Sequence, residues 1–91
     1  SYEAALKSIE RIAKPSAQIM EAKQKILFQL GTQSFANANF EQALQYLNQS
    51  IAIGQYNRQT KADAYYWCGE SYYRLNRMME GAPAISTLIC N

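Results

Sequence analysis

A period of 38 residues runs through this 91-residue sequence and constrains its fold more than any other feature. Ala5, Ala43 and Gly81 stand 38 positions apart. Self-similarity at such a period predicts stacked repeats, in which each unit buries its apolar face against its neighbours. The same spacing links Tyr2, Phe40 and Met78; Ile9, Leu47 and Ile85; and the pairs Leu27/Tyr65, Phe28/Tyr66, Leu30/Cys68, Gly31/Gly69 and Phe35/Tyr73.

Composition and charge argue against several classes of protein. The 48% hydrophobic and 18% charged residues are typical of a globular chain, and 91 residues form one domain at most. The net charge is +2 and the basic residues are scattered, whereas a nucleic-acid site usually shows a basic stripe. No apolar stretch approaches the roughly 20 residues of a membrane span. The sequence has no signal peptide or initiator Met and opens within a helical pattern, so we expect a fragment of a longer protein.

Apolar spacing predicts an all-α chain of about five helices. The first is predicted over residues 2–13, and Pro15 stops it because the residue before proline is pushed out of the α region. The second covers residues 17–36, with Ser16 as its N-cap. The apolar stripe of the first helix and the inner side of the second consist of Ala5, Leu6, Ile9, Ile12, Ala13, Ile19, Ile26, Leu27, Leu30 and Ser34.

The rest of the chain is predicted to form three more helices. Residues 37–39 read as a turn before a third helix over residues 40–53, which Gly54 ends. A fourth helix over residues 60–75 opens with capping-box spacing at Thr60 and Asp63, and a second turn follows at Asn76 and Arg77. A fifth helix is predicted over residues 78–90, where a proline in the interior would cost about 3 kcal/mol. The two residues that compromise it are Gly81 and Pro83.

Two stretches of this pattern resemble the tetratricopeptide repeat. The first is Leu27-x2-Leu30-Gly31 followed by Phe40-x2-Ala43-x3-Leu47, and the next copy is Tyr65-x2-Cys68-Gly69-x2-Tyr72 followed by Met78. The resemblance implies a right-handed α-solenoid of antiparallel helix pairs in a single domain or fragment. Residues 1–14 would be the second helix of a preceding repeat, residues 17–54 the first repeat and residues 57–91 a second repeat that degenerates after Arg77.

The resemblance also implies structural roles and shows departures from the family pattern. Glycine at 31 and 69 would let paired helices approach closely, alanine at 5 and 43 would do the same, and Phe40 would wedge at the turn. The period is four residues longer than the family's roughly 34, and Ser34 stands where tyrosine is usual. The full set of repeat positions is Ala5, Leu30, Gly31, Phe40, Ala43, Leu47, Gly69 and Tyr72.

In this family the first helix of each repeat lines a concave groove, which would here hold a peptide or protein partner. The alternative is that the aromatic rings pack within the solenoid, which is favoured for the phenylalanines and balanced for the tyrosines. Trp67 is expected to pack on an inter-repeat loop, Glu70 and Arg74 to form a solvated pair, and Cys68 to be a buried hydrophobe. The groove residues carried over are Lys25, Phe28, Thr32, Phe35, Ala36, Asp63, Tyr66, Glu70, Tyr73 and Arg74.

We therefore expect a non-enzymatic binding scaffold without a cofactor. The sequence has no His and no Gly-rich phosphate loop, and Cys68 and Cys90 form no metal or redox motif. The alternative is a structural module that self-assembles through exposed solenoid ends. The run over residues 63–75 resembles repeat modules of bacterial cell-envelope proteins, which favours the periplasm, but the two cysteines leave the cytoplasm open and permit a disulfide without implying one.

Overall fold

The computed structural model describes residues 1–78, which form four α-helices and contain no strand. The helices are α1 (Tyr2–Glu10), α2 (Ala17–Ala36), α3 (Phe40–Ile53) and α4 (Arg58–Met78). The predicted all-α class is confirmed for this part of the chain, and the bounds of α2 and α3 are those predicted. The helix expected over residues 78–90, with Gly81, Pro83 and Cys90, falls beyond Met78 and so outside the described residues.

Helices α2 and α3 form an antiparallel hairpin. In the first half of α2, Gln24 Nε2 donates to the carbonyl of Ser50 in the last turn of α3. In the last turn of α2, the Ser34 hydroxyl donates to Oε1 of Gln42 in the first turn of α3, at 3.3 Å. Gly31 lies where the two helices come closest. A Cβ atom at position 31 would lie 2.6 Å from Leu47 Cγ, so only glycine fits this crossing. The close approach predicted for Gly31 is confirmed, whereas at Gly69, which is exposed, an added Cβ would meet no atom of the described residues within 4 Å.

The turn between α2 and α3 is closed by backbone hydrogen bonds. The Asn39 N–H donates to the Ser34 carbonyl at 2.8 Å and the Ala38 N–H to the Phe35 carbonyl at 2.9 Å, which is the Schellman pattern. Ala38 holds the left-handed position of this motif, with φ of 61°. Asn39 then caps α3, because its side-chain oxygen accepts the N–H of Gln42. The asparagine-rich turn is confirmed, although the left-handed residue is the alanine between the asparagines.

The core lies along α3, between α2 on one side and α4 on the other. Leu27 and Leu30 of α2 are buried, as predicted, and α1 packs on α2 with half-buried residues only. Apolar burial is the main favourable term in folding, so α3 is the element that holds α2 and α4 together. The central cluster consists of Ala43, Leu44, Leu47, Ile51, Ala64 and Cys68, with Phe28, Phe35, Trp67, Tyr72 and Leu75 packed against it.

Helix α1 is shorter than predicted. It ends at Glu10, and the N–H groups of Arg11 and Ile12 donate three residues back to Ser8 and Ile9, which is the tightened geometry of a final turn. Ile12 and Ala13 therefore leave the apolar stripe on which the sequence placed them, and both are exposed.

Helix α4 differs from the prediction at both ends. Its N-cap is Asn57, whose side-chain oxygen accepts the N–H of Thr60 at 2.8 Å, so the capping box of Thr60 and Asp63 is wrong. The turn predicted at Asn76 and Arg77 is also wrong, because both residues are helical and α4 continues to the end of the described residues. A sequence rule that counts asparagines as turn formers misses that asparagine can sit in a helix whose other residues favour it.

Candidate binding surface

Phe35 is the point at which α2 meets α4. Its ring packs edge-to-face on Trp67, with centroids 5.0 Å apart, and on Phe40 at 5.1 Å. The guanidinium of Arg74 lies over the same ring, 5.5 Å from its centroid. Trp67 and Arg74 stand two helical turns apart on α4, so one phenylalanine of α2 contacts α4 across both turns.

A continuous surface extends from this point along α4. Tyr66 packs edge-to-face on Trp67 at 5.2 Å and leaves 61% of its surface exposed. Tyr73 is 54% exposed, and Arg77 lies over its ring at 5.9 Å. At 100° per residue these positions fall within an arc of about 120° on one side of the helix. We call this surface the aromatic face, and it consists of Phe35, Tyr66, Trp67, Tyr73, Arg74 and Arg77.

The other residues predicted to line the groove have local partners or core contacts. Phe28 is half-buried against the central cluster, which is the packing role favoured for it. Lys25 is exposed and pairs with Glu21 at 3.5 Å. The Thr32 hydroxyl donates to the Gln29 carbonyl, Asp63 accepts from the Gln59 amide at 2.8 Å, and Ala36 is exposed. Of the predicted groove residues, Phe35 and Tyr66 are brought together through Trp67, and Arg74 lies on Phe35.

Two expectations about α4 side chains are wrong. Trp67 does not pack on an inter-repeat loop, because its ring lies between Phe35 and Tyr66. Glu70 and Arg74 form no ion pair, since the only ion pair within residues 1–78 joins Lys25 and Glu21. The Arg74 guanidinium lies on the Phe35 ring instead, because the negative face of the ring attracts the cation. At an exposed site this cation–π interaction contributes about 0.5–1 kcal/mol.

Sequence reasoning missed the buried amide that fixes where α4 starts. Gln24 is fully buried, and its Nε2 donates to the Ser50 carbonyl at 3.1 Å and to the Gly54 carbonyl at 2.9 Å. Its Oε1 accepts the backbone N–H of Asn57 at 2.8 Å. The Gln24 side chain thus satisfies an orphan carbonyl at the end of α3 and orients the N-cap of α4.

Glu21 holds the same N-cap from outside. Its Oε2 accepts from Asn57 Nδ2 at 2.8 Å. This hydrogen bond, and then the nearby positive charge of Lys25, lower the pKa of the Glu21 carboxyl below its ordinary value.

The sequence signal that could have revealed Gln24 is a polar residue at a core position of the α2 helical wheel, one turn before the buried Leu27. The period could not have found it, since the residue 38 positions on is the exposed Ala62.

A scan against protein-family models, a search of curated proteins and a search of solved structures each found no match. Among residues 1–78, no helix combines the length and the apolarity that crossing a membrane requires. The same residues contain no group of three or more acidic or cysteine side chains placed to hold a metal ion. The aromatic face is a candidate site that the described geometry offers.

Proposed function

We propose that this chain is a non-enzymatic scaffold of the tetratricopeptide type, whose aromatic face binds a peptide or protein segment. The observation that carries the proposal is the contrast between equivalent positions of the 38-residue period. Phe28 and Phe35 are half-buried against the core, whereas their counterparts Tyr66 and Tyr73 are 61% and 54% exposed. Tyrosine is, with tryptophan and arginine, among the side chains enriched at the residues that dominate interface energies.

The packing around these residues also supports a binding role. The Trp67 ring packs between Phe35 and Tyr66, and the Arg74 guanidinium lies over Phe35, so contacts within the protein already position part of the surface. A surface ordered in advance loses less conformational entropy on binding. The antiparallel α2–α3 hairpin and the glycine crossing at position 31 agree with the helix pairs of the tetratricopeptide family.

The chain carries its own reporter for this test, because Trp67 is its only tryptophan. Peptides selected from a random display library against the protein are resynthesised and titrated while Trp67 emission is followed. We expect saturable emission changes that are lost in the double variant Tyr66→Ala/Tyr73→Ala. The control is Tyr56→Ala, which removes an exposed tyrosine outside the face. Equal binding by the double variant would remove the aromatic face as the site.

A second candidate function is self-assembly through α1. None of the residues of α1 is buried, and Tyr2 is 39% exposed. Ile12, two residues after the end of α1, is 40% exposed. Light scattering over a range of concentrations tests this, with Ile12→Ser as the variant. Self-assembly predicts a mass that rises with concentration and falls back in the variant, whereas a monomer at high concentration excludes it.

A further inference from the structure

We infer that the segment bound by the aromatic face is acidic, with a carboxylate that meets Arg74 and Arg77; this inference rests on the proposed peptide-binding function. Both guanidinium groups are placed by rings, Arg74 over Phe35 at 5.5 Å and Arg77 over Tyr73 at 5.9 Å. A contact with a ring face uses no oxygen acceptor, so the guanidinium N–H groups can still donate to a ligand.

No charged partner within residues 1–78 uses these donors. The single ion pair there joins Lys25 and Glu21, and Glu70, one turn from Arg74, does not reach it. Both arginines are exposed. The acceptor that matches a guanidinium fork best is a carboxylate, whose two oxygens take two parallel hydrogen bonds. Charge and geometry at this end of α4 therefore favour a glutamate or aspartate side chain, or a carboxyl terminus, on the partner.

The spacing along α4 defines the ligand further. Tyr66 and Arg77 are eleven positions apart, which corresponds to roughly 16 Å of helix at 1.5 Å per residue. An extended peptide covers that distance with about five residues. The ligand that fits places an apolar or aromatic side chain between the two exposed tyrosines and a carboxylate about three residues away, since the middle of the tyrosine pair lies roughly 9 Å along α4 from the middle of the arginine pair.

The negative charge of Glu70 provides a test of whether the ligand is acidic or basic. It is half-buried on the same side of α4, between Tyr66 and the two arginines, and has no ion pair within the described residues. An acidic ligand passing Glu70 meets a like charge, whereas a basic ligand meets an opposite one. Removing this charge with Glu70→Gln should therefore strengthen an acidic ligand and weaken a basic one.

The experiment uses the display-selected peptides, each resynthesised with glutamate, glutamine or lysine at the same positions and titrated by Trp67 emission. We expect the glutamate version to bind about tenfold more tightly than the glutamine version, with an advantage that shrinks as salt is added. Arg74→Gln/Arg77→Gln should remove the preference, and Glu70→Gln should raise the affinity of the glutamate version by roughly twofold. Arg58→Gln, an exposed arginine of α4 away from the face, is the matched control and should change nothing.

The outcomes separate this inference from the function beneath it. Binding that needs Tyr66 and Tyr73 but shows no preference for glutamate overturns the acidic ligand and leaves the scaffold standing. Binding that does not need the tyrosines overturns both. Oligothymidylate serves as the nucleic-acid probe. If its binding depends on Arg74 and Arg77 more strongly than peptide binding does, the proposal of a peptide ligand is wrong. Circular dichroism of each variant verifies that the helices are intact.

Discussion

The side-chain carbonyl of Gln24 accepts the backbone N–H of Asn57 at 2.8 Å, across 33 residues of sequence. The same amide group donates to the carbonyls of Ser50 and Gly54, so both hydrogens and the oxygen of one buried side chain are used at the α3–α4 junction. In return the Ser50 hydroxyl donates to the Gln24 backbone carbonyl at 2.7 Å. The start of α4 is therefore fixed by a residue of α2.

Replacing Gln24 by leucine should be one of the most damaging single changes in α2. Leucine fills a similar volume but leaves the Asn57 N–H and two carbonyls without a partner, and each buried unsatisfied group costs about 1–3 kcal/mol. We expect a loss of roughly 2–4 kcal/mol in the free energy of unfolding, measured by urea titration. Gln29→Leu, at an exposed position of the same helix, should stay within about 0.5 kcal/mol. Similar losses at both sites would contradict the role of the amide.

The Glu21–Asn57 contact should make stability depend on pH. The lowered pKa of the Glu21 carboxyl means that the folded state favours the ionised form. Its stabilisation is therefore fully present above the ordinary carboxyl pKa of about 4.3 and is lost as pH falls through the lowered value. The difference in unfolding free energy between wild type and Glu21→Gln should shrink over that acid range. In Asn57→Ser, which retains a capping oxygen but cannot donate an amide hydrogen, the stabilisation by Glu21 relative to Glu21→Gln should be smaller at any pH where the carboxyl is ionised.

Gly31→Ala should clash with Leu47. The added Cβ would lie 2.6 Å from Leu47 Cγ and 3.4 Å from the Ala43 carbonyl oxygen, so the helices must separate at a cost of about 1–3 kcal/mol. Leu47→Ala alone should cost about 2–5 kcal/mol, because Leu47 is fully buried. In the double variant the two losses should be less than additive, since the smaller side chain makes room for the methyl group. Strict additivity in a double-mutant cycle would contradict the contact.

Ala38→Gly should stabilise the protein. Ala38 occupies the left-handed position of the Schellman turn with φ of 61°, where a Cβ costs about 1–2 kcal/mol and glycine costs little. The greater freedom of glycine in the unfolded chain offsets part of this gain, so we expect a net stabilisation of roughly 0.5–1 kcal/mol by thermal unfolding. Ala22→Gly, at an exposed position inside α2, should change stability in the opposite direction by about 1 kcal/mol.

Local pattern predicted α2 and α3 well because their ends obey local rules. Ser16 and Asn39 cap the N–H groups that follow them, and Gly54, with φ of 116°, takes the conformation that glycine alone adopts easily. The close approach at Gly31 was predicted from the resemblance to the tetratricopeptide repeat, and the structure places Gly31 where an added Cβ would meet Leu47.

Some of the errors arose where a distant element decides the outcome. Nothing near Asn57 shows that Gln24 will orient it, and the helical wheel of α4 does not reveal that Phe35 will lie beside Trp67. Arg74 likewise had two partners available, a carboxylate one turn away on its own helix and an aromatic ring on another. Local spacing favoured Glu70, while the packed structure placed Arg74 on Phe35.

The hydrogen bonding of the two later connections determines where this chain can accept foreign sequence. Residues 37–39 form the hydrogen bonds that end α2 and begin α3. The connection from Gly54 to Asn57 is hydrogen-bonded to Gln24. Residues inserted in either connection would break hydrogen bonds at a helix end. Ala13 and Lys14 are exposed and lie between the Arg11–Ile12 turn that ends α1 and Ser16, the N-cap of α2. A tag, a protease site or a fluorescent partner for labelling should therefore be inserted there, at the least cost to the rest of the molecule.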